Sequence, residues 1–350
     1  MQPCGALLAF LAAHGRHVRQ LHLNIEEDDE DEDEATAIAI FTTVASCLGA
    51  CGAAGSLEQL QIAPETPALE QLSLAGSRVN LGAVRLPPSL TRLRIEDAST
   101  QELPLQLTRL SALRPLDLLS APYSAASLDP LSKLGSLEHL FLDGVAAPPC
   151  LPRLTQLHTL AVVTESGVED VLAAVPCLTG LTCLQLAEVA SFPHAVASLP
   201  RLQRLCLWSQ DGTVADPAVP AGPWLQSIKW FGAPWAFLEA GTATLAAAQQ
   251  LEYLSAFTMP HAGIGAAVQH WAAFWELAAM HPSLRCLGID THCSDDLDAE
   301  LATPSVALLD ALFHLKHRRP GLQLRRTPQD GSEGFWDECL ECHDIPAGPS

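Results

Sequence analysis

Asparagine is almost missing from this chain of 350 residues: Asn24 and Asn80 are the only two. The scarcity removes a residue much used to bond the backbone of turns with its own side chain. Positive charge is scarce too. Lysine and arginine number 19 against 40 aspartates and glutamates, giving a net charge of −21. Such a balance disfavours broad binding to nucleic acid phosphate or anionic lipid, since both need a cationic surface. Charged residues of either sign make up 17% of the chain, below the roughly 25% of an ordinary soluble domain. No run approaches the roughly 18 apolar residues that a membrane helix requires. The opening MQPCGALLAFLAAHGR carries a short apolar stretch but no basic n-region, which argues against a secretory signal. It reads instead as an amphipathic helix closing one end of the fold, with Leu7, Leu8, Phe10 and Leu11 inward.

What is present is aliphatic. Apolar residues reach 48%, enough for a large core and too many for a disordered chain. The cysteines number 11, an odd count, and are scattered through apolar segments. That distribution suits reduced core thiols in a reducing compartment. Nine of the negative charges form one run, Glu26 to Glu34, so the acidity is partly local. The run reads as a solvated loop. It has neither the glycine nor the ligand spacing of a Ca²⁺ loop.

A hexamer, apolar-x-x-apolar-x-apolar, recurs twelve times. It begins at Val18, Leu57, Leu69, Leu90, Leu113, Leu137, Leu157, Leu181, Leu202, Leu225, Leu251 and Leu284. From Leu69 to Leu251 the spacings are 21, 23, 24, 20, 24, 21, 23 and 26 residues. The second and third apolar positions alternate inward with period two, while the residues between them point out. One copy cannot bury its inward face alone. Stacked copies build a parallel sheet over one continuous core. The segments between hexamers have a second apolar phase and predict an outer layer of short helical or 3₁₀ turns. Pro104, Pro130, Pro152 and Pro193 help to start them. Leu57 and Leu69 lie only 12 residues apart, so either one is not a rung or a tight arch joins them. The segment GIGAAVQHWAAFWELAAM predicts an amphipathic helix, SVALLDALFHLKHRR a second one stopped by Pro320-Gly321, and GLQLRR a final strand.

The hexamer LxxLxL at these spacings resembles the leucine-rich-repeat family. The resemblance implies an α/β solenoid: a curved horseshoe with a parallel sheet on its concave face, short helices or 3₁₀ turns on its convex face, and longer helices in the C-terminal repeats. The resemblance covers about residues 16–325, within one expected domain of residues 1–326 that holds about twelve repeats and the acidic insertion at 26–34; residues 327–350 are expected as a flexible tail. The family usually places Asn or Cys three residues past the hexamer. Here that position holds Ser77, Ala98, Ala121, Val145, Glu165, Val189 and Gln210, so backbone or water must satisfy the turns. The late repeats and the opening LLAFLAAHGRHVRQLHL also resemble the repeat domains of F-box substrate adaptors. No F-box is seen: ELPLQL at 102–107 keeps the repeat phase and belongs to the convex layer.

With aromatics at 5%, their placement matters. Trp208, Phe231 and Phe257 each follow the third apolar position of successive copies, and Tyr253 is outward beside them. Stacked at the border of the concave face, they would form an apolar stripe for a partner. The bland alternative tucks the rings under longer loops. Arg92, Arg94 and Arg204 are outward cations that could hold an acidic partner or simply be solvated. The cations of residues 314–326 favour a helix C-terminus. Cys339, Cys342 and His343 match C-x-x-C-H, a weak candidate for a metal or redox site. No nucleotide, hydrolase or metalloprotease motif is present, and the histidines have no acid or nucleophile at a recurrent offset. The expectation is a non-enzymatic scaffold without a cofactor. It would bind protein or peptide rather than nucleic acid or membrane, and act as a cytoplasmic monomer. A substrate-recognition subunit of a ubiquitin ligase is one form of it. A structural cytoskeletal or axonemal component is another, and CxxC redox or metal chemistry a remote third.

Overall fold

The computed structural model describes residues 20–24, 70–75, 86, 88–96, 103, 105–120, 123–164, 168–209, 214–257, 272–289 and 313–326. The acidic run, the Leu57 copy and the CxxCH tail lie outside them. The chain divides into two compact units, Met1–Leu184 and Gln185–Ser350. Each is a stack of parallel strands in chain order, and each is built by the same rule.

The first unit holds β1 (Gln20–Asn24), β2 (Gln71–Ala75), β3 (Arg92–Glu96), β4 (Pro115–Leu119), β5 (His139–Asp143) and β6 (Thr159–Val163). The chain leaves it within β7 (Cys183–Leu186). Each strand from β1 to β5 pairs in parallel with the next. The register sets Leu21, Leu72, Leu93, Leu116, Leu140 and Leu160 side by side. These are the second apolar positions of the hexamer, so the repeat phase is the strand register. β1 pairs directly with β2; the Leu57 copy lies outside the described residues. Leu90, Leu93 and Ile95 of one copy are all fully buried. Each such side chain contributes roughly 1.5–3 kcal/mol of hydrophobic stabilisation relative to exposure.

The second unit holds β8 (Arg204–Leu207), β9 (Trp230–Pro234), β10 (Tyr253–Phe257), β11 (Cys286–Ile289) and β12 (Gln323–Arg326), again parallel and sequential. The final strand expected from GLQLRR is β12. This is an α/β leucine-rich-repeat solenoid.

The segments between strands form the outer layer. In the first unit they are 3₁₀ turns at Leu105–Arg109, Ala125–Lys133 and Leu151–Arg153, then helix α1 (Val168–Ala174). In the second they are turns at His194–Ser198 and Pro223–Gln226, then α2 (Trp235–Ala240), α3 (Thr242–Leu245), α4 (Ala272–Met280) and a helix at 313–318. Leu103 is buried and Leu105–Arg109 is a turn, so the described part of ELPLQL belongs to the outer layer. Pro152 and Pro193 open their turns, whereas Pro130 lies inside its own. In α4, Phe274, Trp275 and Ala278 are buried. Val268 and Trp271 lie outside the described residues.

The missing asparagines are replaced by backbone. Ser120 (φ 48°), Gly144 (φ 64°) and Glu188 (φ 57°) take the left-handed conformation just past β4, β5 and β7. There the Ser120 N–H donates to the Asp143 carbonyl at 2.8 Å, and the Gly144 N–H to the Val163 carbonyl at 2.8 Å. Gly144 adopts this conformation without the steric cost a side chain brings. One residue later, Val145 and Val189 are buried where the family's usual Asn would be.

Serine closes the other side of the rungs. Ser136, Ser227 and Ser283 each donate a hydroxyl to the carbonyl of the preceding rung, at Leu113 (2.7 Å), Leu202 (2.8 Å) and Leu251 (3.1 Å). Packing between rungs is equally tight at Gly222, where an added Cβ would sit 2.3 Å from the Ala197 carbonyl oxygen. That oxygen is main chain and cannot swing away. Gly222→Ala is therefore expected to cost about 1–3 kcal/mol by overpacking, read as a lower urea midpoint at unchanged slope. An unchanged midpoint would show that the rungs can separate there.

Candidate functional site

The described outward face of each unit is laid out in three rows by the strand register. In the first unit the rows hold cations and acids together. The Arg92 guanidinium lies 3.3 Å from Asp117, and that of Arg94 lies 3.2 Å from Glu96. Asp117 is buried, as is Phe141 beside it. Both arginines thus stand outward as their sequence positions predict, but each is answered by a carboxylate of the same face. An acidic partner would have to displace those carboxylates, so the pair is poorly suited to hold one.

The second unit differs. Its first outward row runs Arg204, Trp230, Tyr253, Cys286 and Gln323. Its middle row runs Cys206, Gly232, Ser255 and Gly288, all buried and small, and then Arg325 of β12. Trp230 and Tyr253 are half-buried and stack with centroids 5.5 Å apart and planes 16° from parallel. Aromatic faces at this separation add about 0.5–1.5 kcal/mol beyond burial. The small middle row makes room for them. A Cβ on Gly288 would meet the Tyr253 hydroxyl at 2.5 Å and Ser255 Oγ at 2.8 Å, so the ring leans from β10 across β11. Trp208 follows β8 and is half-buried. Phe257 ends β10 opposite Pro234.

Phe231 is a correction. As the residue after LQSIKW, it is expected outward. The register instead pairs Phe231 with Leu205 and Leu254, the inward row, and its side chain is fully buried. Its ring lies 5.8 Å from Trp224, which lies 5.6 Å from Phe192. The working hexamer of this copy begins at Ile228, not Leu225. The same shift moves Trp230 from an inward to an outward position. The stacked pair is therefore Trp230–Tyr253, half of which the hexamer pattern hid. One signal could have found it: Ser-Ile at 227–228 matches Ser-Leu at 136–137 and 283–284, the serine that bonds back to the preceding rung.

The cations of residues 314–326 are largely structural. Lys316 Nζ donates to the Leu322 carbonyl at 3.1 Å, and Arg318 meets Glu276 of α4 at 2.8 Å. Arg319 donates to the carbonyls of His281 and Leu284. His281 is buried beside it, its Nδ1 3.4 Å from Ser283 Oγ and its Nε2 without a hydrogen bond. Burial first, and the Arg319 charge further, push its pKa below 6.5. The unfolded chain therefore takes up a proton near pH 6.5 that the folded chain resists, so stability falls as pH drops below that value. His281→Leu is expected to flatten the loss of stability between about pH 7 and 5.5, measured by urea unfolding. An equal slope in both proteins would assign that loss to other groups.

Among the described residues no group of three or more His, Cys, Asp and Glu could hold a metal ion. No helix of the described residues is long and apolar enough to cross a membrane. Cys339, Cys342 and His343 fall outside those residues.

No family model matches the chain, and no curated protein matches it. Among solved structures it is similar to two internalins of Listeria monocytogenes. The first, inlF, shares 17% identity at a TM-score of 0.39, over 66% of this chain and 64% of that one. The second, the internalin C2 inlC2, shares 18% at 0.33, over 42% and 68%. The match thus spans just under two thirds of inlF. The repeat architecture rests on the strand register, not on these overlaps.

Proposed function

We propose that the chain is a non-enzymatic protein-recognition scaffold whose second unit captures a protein or peptide segment on its outward face. The observation that carries this reading is the Trp230–Tyr253 stack, half exposed on a rigid strand pair above a floor of small residues. Large amphipathic rings are the side chains that most often anchor a partner, and holding them on strands keeps the ordering cost of binding low. Arg204 flanks the pair in the same row, and Trp208 follows the end of β8. Phe257 lies at the other end of β10, and Phe231 supports the face from beneath.

The finer reading is a substrate-recognition subunit of a ubiquitin ligase, acting as a cytoplasmic monomer with the ligase contact made through another chain or segment. The rival is a structural component of cytoskeleton or axoneme. Affinity purification with mass spectrometry separates them. Recovery of ligase core subunits supports the adaptor. Tubulin or dynein partners without those subunits would overturn it in favour of the structural role. The absence of any protein captured in a Trp230-dependent way would sink both.

A further inference from the structure

A second surface lies in the first unit, away from any outward row. Six cations stand among its described residues. Arg92, Arg94 and Arg114 are ion-paired, the last with Glu138 at 3.0 Å. Arg109, Lys133 and Arg153 are exposed and make no ion pair with the described residues. These three share one place in the repeat. Each ends a 3₁₀ turn of the outer layer. Each stands four residues before the first leucine of its hexamer: Arg109 before Leu113, Lys133 before Leu137, Arg153 before Leu157. The next rung has Cys177 at that place and ends the row. Three consecutive rungs thus present one cation each, in a chain whose net charge is −21.

Between the second and third cations opens a cavity of about 340 Å³, lined by Lys133, Arg153, Asp129, Ser132 and Cys150 among others. Ser132 Oγ donates to the Asp129 carbonyl at 2.7 Å, and Cys150 Sγ contacts the Leu128 carbonyl at 3.6 Å. Both are committed to the backbone. The charged groups at the mouth are therefore two cations against the one carboxylate of Asp129. Helix-end electrostatics could account for a single such cation, but the turns are short and that effect fades within one turn.

We infer that the row Arg109–Lys133–Arg153 docks an acidic segment of a partner protein, laid across the rungs with one side chain in the cavity. Charge complementarity selects this occupant. A protein segment touches the row alone, whereas an anionic bilayer presents a plane of charge that the surrounding acidity repels. This surface is independent of the aromatic face and stands whether or not that face binds.

The test uses the full chain and a fluorescein-labelled dodecapeptide of alternating glutamate and serine, followed by anisotropy at low salt. The triple variant R109Q/K133Q/R153Q is expected to bind about tenfold more weakly, the combined worth of three exposed charge contacts. The reversal R109E/K133E/R153E should abolish binding. Unchanged circular dichroism and urea midpoints certify that both variants fold. A control, R201Q/K229Q, removes two exposed cations of the second unit and should bind as the parent does. Three results would overturn the inference: equal binding by the triple variant, an equal loss in the control, or equal binding of a peptide with glutamine for glutamate. Row-dependent binding of phosphatidylserine vesicles, with no peptide binding, would reassign the row to a membrane.

Discussion

Phe231→Ala is expected to destabilise the chain by about 3–5 kcal/mol, the range for truncating a fully buried phenylalanine. The ring occupies the leucine row of β9 between Leu205 and Leu254. It also contacts Trp224, which contacts Phe192, and Phe192 lies 6.0 Å from Phe237. Removing it empties one end of a series of buried rings, leaving the face of Trp224 without its neighbour. Strands on either side are held to β9 by ladder bonds, so relaxation by backbone movement is limited. Urea unfolding reads the result as a large fall in midpoint. Phe231→Leu, which restores the residue of the other rungs, should recover most of the loss. A cost below about 1 kcal/mol for Phe231→Ala, typical of a surface site, would return Phe231 to the outward face and undo the pairing of β9 with β8 and β10.

The strand register is half legible in the sequence. The leucines at 69, 90, 113, 137, 157, 181 and 202 announce the repeat, and the strands follow them without a slip. The pattern fails at the copy after Leu202 because apolar residues there satisfy two phases. Leu225, Ile228 and Trp230 fit the hexamer, and so do Ile228, Phe231 and Ala233. Hydrophobicity cannot choose between them. The choice falls to shape and hydrogen bonding: Phe fills a leucine site when Trp224 stands behind it, and Ser227 reaches the Leu202 carbonyl only if Ile228 leads the rung. The outward rows are legible only as positions. That Arg92 and Arg94 are neutralised, by residues 25 and 2 positions away, is a matter of which strands become neighbours and which side chains share a face. The replacement of asparagine by left-handed backbone at Ser120, Gly144 and Glu188 is also foreseeable only as a demand for some donor, not as its solution.

Replacing both Trp230 and Tyr253 with alanine should weaken capture of the protein partner by about thirtyfold or more, the mark of a binding hot spot. Neither ring belongs to the core, for both are half exposed and both sit on the outward side of their strands. The urea midpoint of the double variant should therefore fall far less than that of Phe231→Ala. The separation of the two effects is the test: affinity lost with folding kept marks a surface, whereas loss of both marks a core. Gly288→Ala approaches the same site without touching a ring. Its methyl group would meet the Tyr253 hydroxyl at 2.5 Å. Because that hydroxyl is the far end of a side chain, the ring can swing out instead of the strand giving way. The stack with Trp230 then opens while the ladder of β10 and β11 remains. Gly288→Ala should thus mimic the affinity loss of Tyr253→Ala, and the two combined should lose little more than either alone, since both act on the placement of one ring. Fully additive losses would mean that Gly288→Ala acts on the partner by a route other than the Tyr253 ring. An affinity untouched by any of the three substitutions would move the recognition site off this face.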